Sequence, residues 1–163
     1  EEAVRSAGFA EWTILKPAAM MENFTEKVES MYPRFKQGEI RTAVLADTRI
    51  DHIAMTDVAK FVVAAFADPK MFNHQSIELA AESLSYSEIA ATISAVTGKT
   101  LKVVTLSPDE ALAEGMHIYS VRGDEWNNTV GYNVNIDLLK SYDIKLTSFK
   151  EFAEKNKKQF KIG

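Results

Sequence analysis

Trp12-Thr13-Ile14-Leu15-Lys16-Pro17, followed after Ala18-Ala19 by Met20-Met21-Glu22-Asn23-Phe24, is the stretch on which the fold turns. Its first four residues are a short apolar run. Pro17 closes the run, because proline has no N–H to give to a sheet ladder. The motif reads as a buried strand that stops at a loop. Upstream, residues 1–9 read as the last turns of a helix. The chain has no initiator Met and no signal-peptide pattern. A helix end, a strand and a loop opening a new helix suggest the middle of an α/β protein rather than its beginning.

Outward from this stretch, helix, strand and turn signals alternate to the end of the chain, which places it in the α/β or α+β class. The spacing Met20, Phe24, Val28, Met31 predicts a helix over 20–31, stopped by Pro33. Residues 40–45 and 49–53 flank Ala46-Asp47-Thr48 and predict a strand pair. Thr56 is a predicted N-cap, with Asp57 at the positive end of the helix it opens. That helix, 58–66, is apolar on most sides and is expected to be deeply buried. Another strand is expected over 76–80. Three later helix starts carry capping boxes: Ser85 with Glu88, Ser107 with Glu110 and Ser148 with Glu151. No internal repeat or Gly/Ser linker divides the chain, so one compact unit is expected.

Composition narrows the function classes. At 163 residues with 46% hydrophobic residues, one well-packed core is expected and two ordinary domains are not. A net charge of −4 argues against nucleic acid as a partner, since phosphate binding needs a positive field. The basic cluster Lys155, Lys157, Lys158, Lys161 reads as a solvated helix end. No cysteine is present, which rules out disulfides and thiolate metal sites and fits a cytoplasmic protein. No apolar run approaches the ~18 residues of a membrane span.

Several chemistries lack their motifs. No two of the seven glycines lie within six residues of each other, so neither a dinucleotide fingerprint nor a P-loop is present. His52, His74 and His117 are too dispersed for a metal site. Tyr32-Pro33-Arg34-Phe35-Lys36 matches a Tyr-x-x-x-Lys pattern. That pattern needs both residues on one helix face, where the ammonium lowers the phenol pKa; Pro33 argues against it.

Taken in order, the motifs resemble the NmrA-like family, atypical members of the short-chain dehydrogenase superfamily. Thr13-Ile14-Leu15-Lys16-Pro17 is similar to the family's Thr-Ile-Leu-Arg-Pro strand, with Lys16 where Arg is usual. Met21-Glu22-Asn23-Phe24 matches its Met-Glu-Asn-Phe signature, and 52–59, 77–80, 85–90, 97–99 and 131–149 continue the series. The resemblance implies the C-terminal part of an extended Rossmann-type α/β fold. Residues 1–17 would be the last helix and strand of a Rossmann domain lying mostly outside this sequence, and 18–163 a small α/β substrate-binding lobe.

It further implies that Pro17, Ala18, Met20 and Asn23 lie near the nicotinamide of NADP(H) or NAD(H). The cofactor is expected in a full-length parent and not for this chain alone. Met21 and Phe24 would add an apolar substrate wall. Trp126 and Tyr132, with Asn127 or Asn128 beside them, are a second candidate wall, or else a hydrophobic anchor for the last helices. Asn23 has an alternative role as a helix cap.

Three functions remain open. The first is part of an NAD(P)H-dependent oxidoreductase acting on a small carbonyl or quinone-like substrate. The second is a dinucleotide-sensing regulator without turnover. The third is a stand-alone ligand-binding module. Catalytic residues are unassigned and no metal is expected. Besides the small-molecule substrate, the expected partner is the missing Rossmann half or a second copy across the exposed sheet edge. Neither nucleic acid nor membrane is expected.

Overall fold

A computed structural model describes residues 1–25 and 31–163. Its strands are β1 (Thr13–Pro17), β2 (Ala19–Met20), β3 (Glu39–Thr42), β4 (Ile50–Ile53), β5 (Gln75–Leu79), β6 (Glu82–Leu84) and β7 (Lys102–Thr105). Its helices are α1 (Glu2–Ser6), α2 (Met55–Ala67), α3 (Pro69–Phe72), α4 (Tyr86–Thr97), α5 (Pro108–Ala113), α6 (Ile118–Thr129), α7 (Ile136–Leu139) and α8 (Phe149–Lys155). The fold is mixed α/β with parallel strand pairs.

The opening motif is a strand, as its composition dictates. β1 pairs in parallel with β5, Thr13 opposite Gln75 and Pro17 opposite Leu79. The parallel sheet therefore draws on residues well beyond position 17. Past Pro17 the ladder runs one step further, Ala18 N–H donating to Leu79 O at 2.9 Å. β2 then crosses to a second sheet, pairing in parallel with β4, which is antiparallel to β6. β3 and β7 form a third, parallel pair.

Among the described residues two large apolar cores hold these layers, beside a small third cluster of Ala43, Ala111 and Val121. One packs α2, β1 and β5 through Phe61, Phe72, Ile77 and Leu79. The larger lies in the lobe, where Met21, Phe24, Phe35, Ile89, Ile93 and Phe149 are almost wholly enclosed. Burial of each such side chain contributes about 2 kcal/mol.

Several sequence expectations change in the fold. The helix expected over 20–31 begins differently, with strand at Ala19–Met20 and a single 3-10 turn at Met21–Phe24. Its last residue, Met31, is helical, and 26–30, with Val28 among them, lie outside the described residues. Residues 40–45 and 49–53 do not pair with each other. Their connection is engaged by α6: Asn128 bonds the Leu45 N–H, the Thr48 hydroxyl and the Ala43 carbonyl, each at 2.9 Å. β3 and β4 thus separate into different sheets.

Thr56 is not the cap of α2. Ala54 holds that position, and the carboxylate of Glu22 accepts the Met55 N–H at 2.9 and 3.0 Å. Nor is α2 deeply buried: Asp57 and Phe61 are, while Val63 is 67% and Phe66 84% exposed. One face of α2 packs on β1 and the other stands open. All three capping boxes form as written.

Candidate functional site

β1 delivers the chain to the lobe at Ala18, and the next residues form one side of a cleft of about 450 Å³. Ala18, Met20, Asn23 and Phe24 line this side. β2 holds them by pairing Ala19 with His52 and Met20 with Ile53. The Asn23 amide makes no hydrogen bond to the described residues and does not cap a helix.

The facing wall is α6 and the loop after it. On a helix, residues three and four apart share a face, so Ser120, Asp124 and Asn127 look into the cleft. Asp124 also fastens the helix in place, its Oδ2 accepting the Thr42 hydroxyl and the Ala43 N–H, both at 2.8 Å. Asn128 makes the companion attachment to residues 43–48 and takes no part in the lining. Beyond the helix, Gly131 turns the backbone at φ 65°. Asp51 Oδ2 then receives the Val134 N–H at 2.8 Å, which sets Tyr132 at the cleft.

The cleft thus brings together Ala18, Met20, Asn23, Phe24, Asn127 and Tyr132, which the sequence had placed in two separate walls. Three other expected residues fall outside it. Pro17 ends β1 just before the lining begins. Met21, fully enclosed, belongs to the lobe core. Trp126, next to Asn127 on the helix, turns away and braces Tyr132 edge-on, ring centres 5.0 Å apart.

Sequence reasoning did not single out His52, Tyr86 or Asp124 as site residues. The i, i+4, i+7 spacing of Ser120, Asp124 and Asn127 was the available signal for the last of them.

The polar groups of the cleft are held in defined protonation states. Burial drives the His52 pKa down to about 4, against weaker upward pulls from the Ile50 carbonyl and Asp51. The ring is neutral, and with Nδ1–H donating to Ile50 O at 2.7 Å its Nε2 is an acceptor. Tyr32 and Tyr86 share a hydroxyl–hydroxyl bond of 2.9 Å, and burial pushes both phenols up. The Tyr-x-x-x-Lys pattern at 32–36 therefore lacks the lowered phenol its chemistry needs. One O–H of the tyrosine pair serves the other, leaving one donor for a third partner. Burial also pushes the Asp124 carboxyl up from its ordinary value, opposed by the hydrogen bonds from Thr42 and the Ala43 N–H. Asn127 Oδ1 is enclosed and has no hydrogen-bond partner among the described residues.

A family model described as the NmrA-like family matches residues 1–153. The chain belongs to the NmrA-like family. Among relatives of this NmrA-like chain is agroclavine dehydrogenase of Claviceps fusiformis, 26% identical over 63% of this chain and 36% of the relative. YesF of Bacillus subtilis, which is named an uncharacterized oxidoreductase, is 33% identical over 67% of this chain and 37% of its own length.

Solved structures show the shared fold. The triphenylmethane reductase of Citrobacter sp. in complex with NADP(H) superposes with a TM-score of 0.75 at 17% identity, over 96% of this chain and 56% of the reductase. NmrA, a negative transcriptional regulator in complex with NADP, gives 0.67 at 19% identity, over 94% of this chain and 54% of the regulator. The chain spans little more than a third of the curated relatives' length and just over half of these structures.

Proposed function

We propose that these residues form the substrate-binding lobe of an NAD(P)H-dependent oxidoreductase acting on a small carbonyl or quinone-like electrophile. The observation that carries this reading is the position of the cleft. It opens at the carboxyl end of the parallel pair β1–β5, where open α/β sheets bind their ligands. There Ala18, Met20 and Asn23 face Asn127 and Tyr132. Oxidoreductase-named relatives, agroclavine dehydrogenase and YesF, support it.

The residues fit the nicotinamide end of the cofactor. Ala18 presents only a methyl group at the strand end, and the unpartnered amide of Asn23 offers a donor and an acceptor to a carboxamide. Bound there, the reduced nicotinamide supplies hydride. The spare O–H of the Tyr32–Tyr86 pair would hydrogen-bond a substrate oxygen, while Tyr132 and Phe24 exclude water from it. The phosphate end would be held by a dinucleotide-binding half preceding these residues. That half would also cover the exposed apolar face of α2 and the free edge of β1.

The test is NADPH oxidation with a small quinone such as menadione, followed at 340 nm, in protein carrying these residues behind such a half. Turnover is expected. Tight NADP(H) binding without turnover would replace the enzyme by a regulator of the NmrA type.

A further inference from the structure

The only formal charge that the described residues bring to the cleft wall is negative. Asp124 spends Oδ2 on Thr42 and Ala43, while Oδ1 makes no hydrogen bond to the described residues. No described cation faces the carboxylate. Arg41, on the flanking strand β3, is paired with Glu39 at 3.0 Å and with Glu114. Arg122, on α6 itself, is paired with Glu125 at 3.0 Å. The cleft lining contains neither Lys nor Arg among the described residues, and its histidine is neutral.

A half-buried carboxylate without a counter-charge is costly, and the group that would relieve it is a cation. The field of Asp124 reaches across the cleft, where it helps hold the Tyr32 and Tyr86 phenols protonated. One helical turn along from Asp124 lies the enclosed, unpartnered Oδ1 of Asn127. Tyr86, Tyr119 and Tyr132 line the same space. Aromatic faces carry negative potential and attract cations, most strongly where water is excluded.

We infer that the cleft selects a planar organic cation, with Asp124 supplying the counter-charge, Asn127 an acceptor and the tyrosines aromatic faces. This rests on the reading of the cleft as the substrate site and narrows the electrophile to a positively charged one. Asp124 is then a specificity-determining residue as well as a fastening for α6.

Calorimetric titration of the 163-residue chain with two bicyclic probes tests this. One probe is the cation 3,4-dihydroisoquinolinium, a protonated imine whose N–H can donate to Asn127 Oδ1, and the other the neutral ketone α-tetralone. The cation is expected to bind about tenfold more tightly. Asp124→Asn keeps an acceptor for Thr42 and Ala43 but removes the charge, and should bring the ratio within about twofold. Raising salt to about 0.5 M on the unaltered chain should shrink the ratio in the same direction and needs no variant to fold. Equal affinities, a ratio unmoved by both changes, or no binding of the cation would overturn the inference. NADPH oxidation by the larger protein separates the two readings. Cation-selective binding without oxidation sinks the oxidoreductase and leaves the cation site. Turnover of the ketone with no cation preference does the reverse.

Discussion

Asn127 shows how a site residue differs from a core residue. An enclosed acceptor without a donor costs about 1–3 kcal/mol in the ligand-free protein. A side chain kept at that cost is easier to understand if a ligand supplies the donor. Asn127→Leu should therefore raise stability by about 1 kcal/mol while weakening probe binding by about tenfold. Urea denaturation and calorimetry on the same sample check both halves of the expectation.

His52 makes a pH prediction. Its pKa is about 4 in the fold against 6.5 in the unfolded chain. The unfolded state thus binds the extra proton first as pH falls. The stability tied to the neutral ring is complete above pH ~6.5 and is lost progressively down to pH ~4, about 3 kcal/mol in all. His52→Gln should flatten this part of the curve of unfolding free energy against pH between 7 and 4. An unchanged slope would show that another group governs it.

Among the elements, α2 is anchored by a carboxylate inside its first turn. Asp57 is fully enclosed, accepting Lys60 Nζ at 2.6 Å, the Thr147 N–H at 2.6 Å and the Thr147 hydroxyl at 3.0 Å. It ties α2 to the loop that leads into α8. Asp57→Ala orphans that N–H and should cost about 3 kcal/mol, with Asp57→Asn costing less, by urea midpoint. The sequence had offered Asp57 as a dipole partner at a helix start, which explains its position but not its enclosure.

The contrast marks what was legible. Capping boxes span four residues, so Ser85-x-x-Glu88, Ser107-x-x-Glu110 and Ser148-x-x-Glu151 could be read directly and formed. The cap of α2 comes from Glu22, and the separation of β3 from β4 depends on Asn128. Both are contacts between residues far apart in the chain, and no local pattern announces them. The two walls of the cleft were readable as segments. Their meeting depends on Asp51, Asp124 and Asn128 fastening α6 and its loop to the sheets, which only the fold reveals.

For the whole molecule, the open face matters most. Val62, Val63 and Phe66 stand out from α2, beside a groove of about 530 Å³ that also takes in Phe9 and Trp12. β1 has no second neighbouring strand among the described residues. Contiguous apolar surface next to a free sheet edge marks an interaction surface. The chain alone should self-associate through it. Phe66→Asp should shift sedimentation toward monomer with a melting temperature within a few degrees of the parent, since Phe66 is 84% exposed and contributes little to the core. Association unchanged by Phe66→Asp would place the contact elsewhere.

The central claim is that two segments about a hundred residues apart form one ligand cleft at the carboxyl end of β1. Amide-resolved NMR of the 163-residue chain during a menadione titration tests it most directly. Shifts should concentrate at Ala18, Met20, Asn23, Asn127 and Tyr132. Shifts confined to the groove beside β1 and α2, or no shifts at all, would contradict the account.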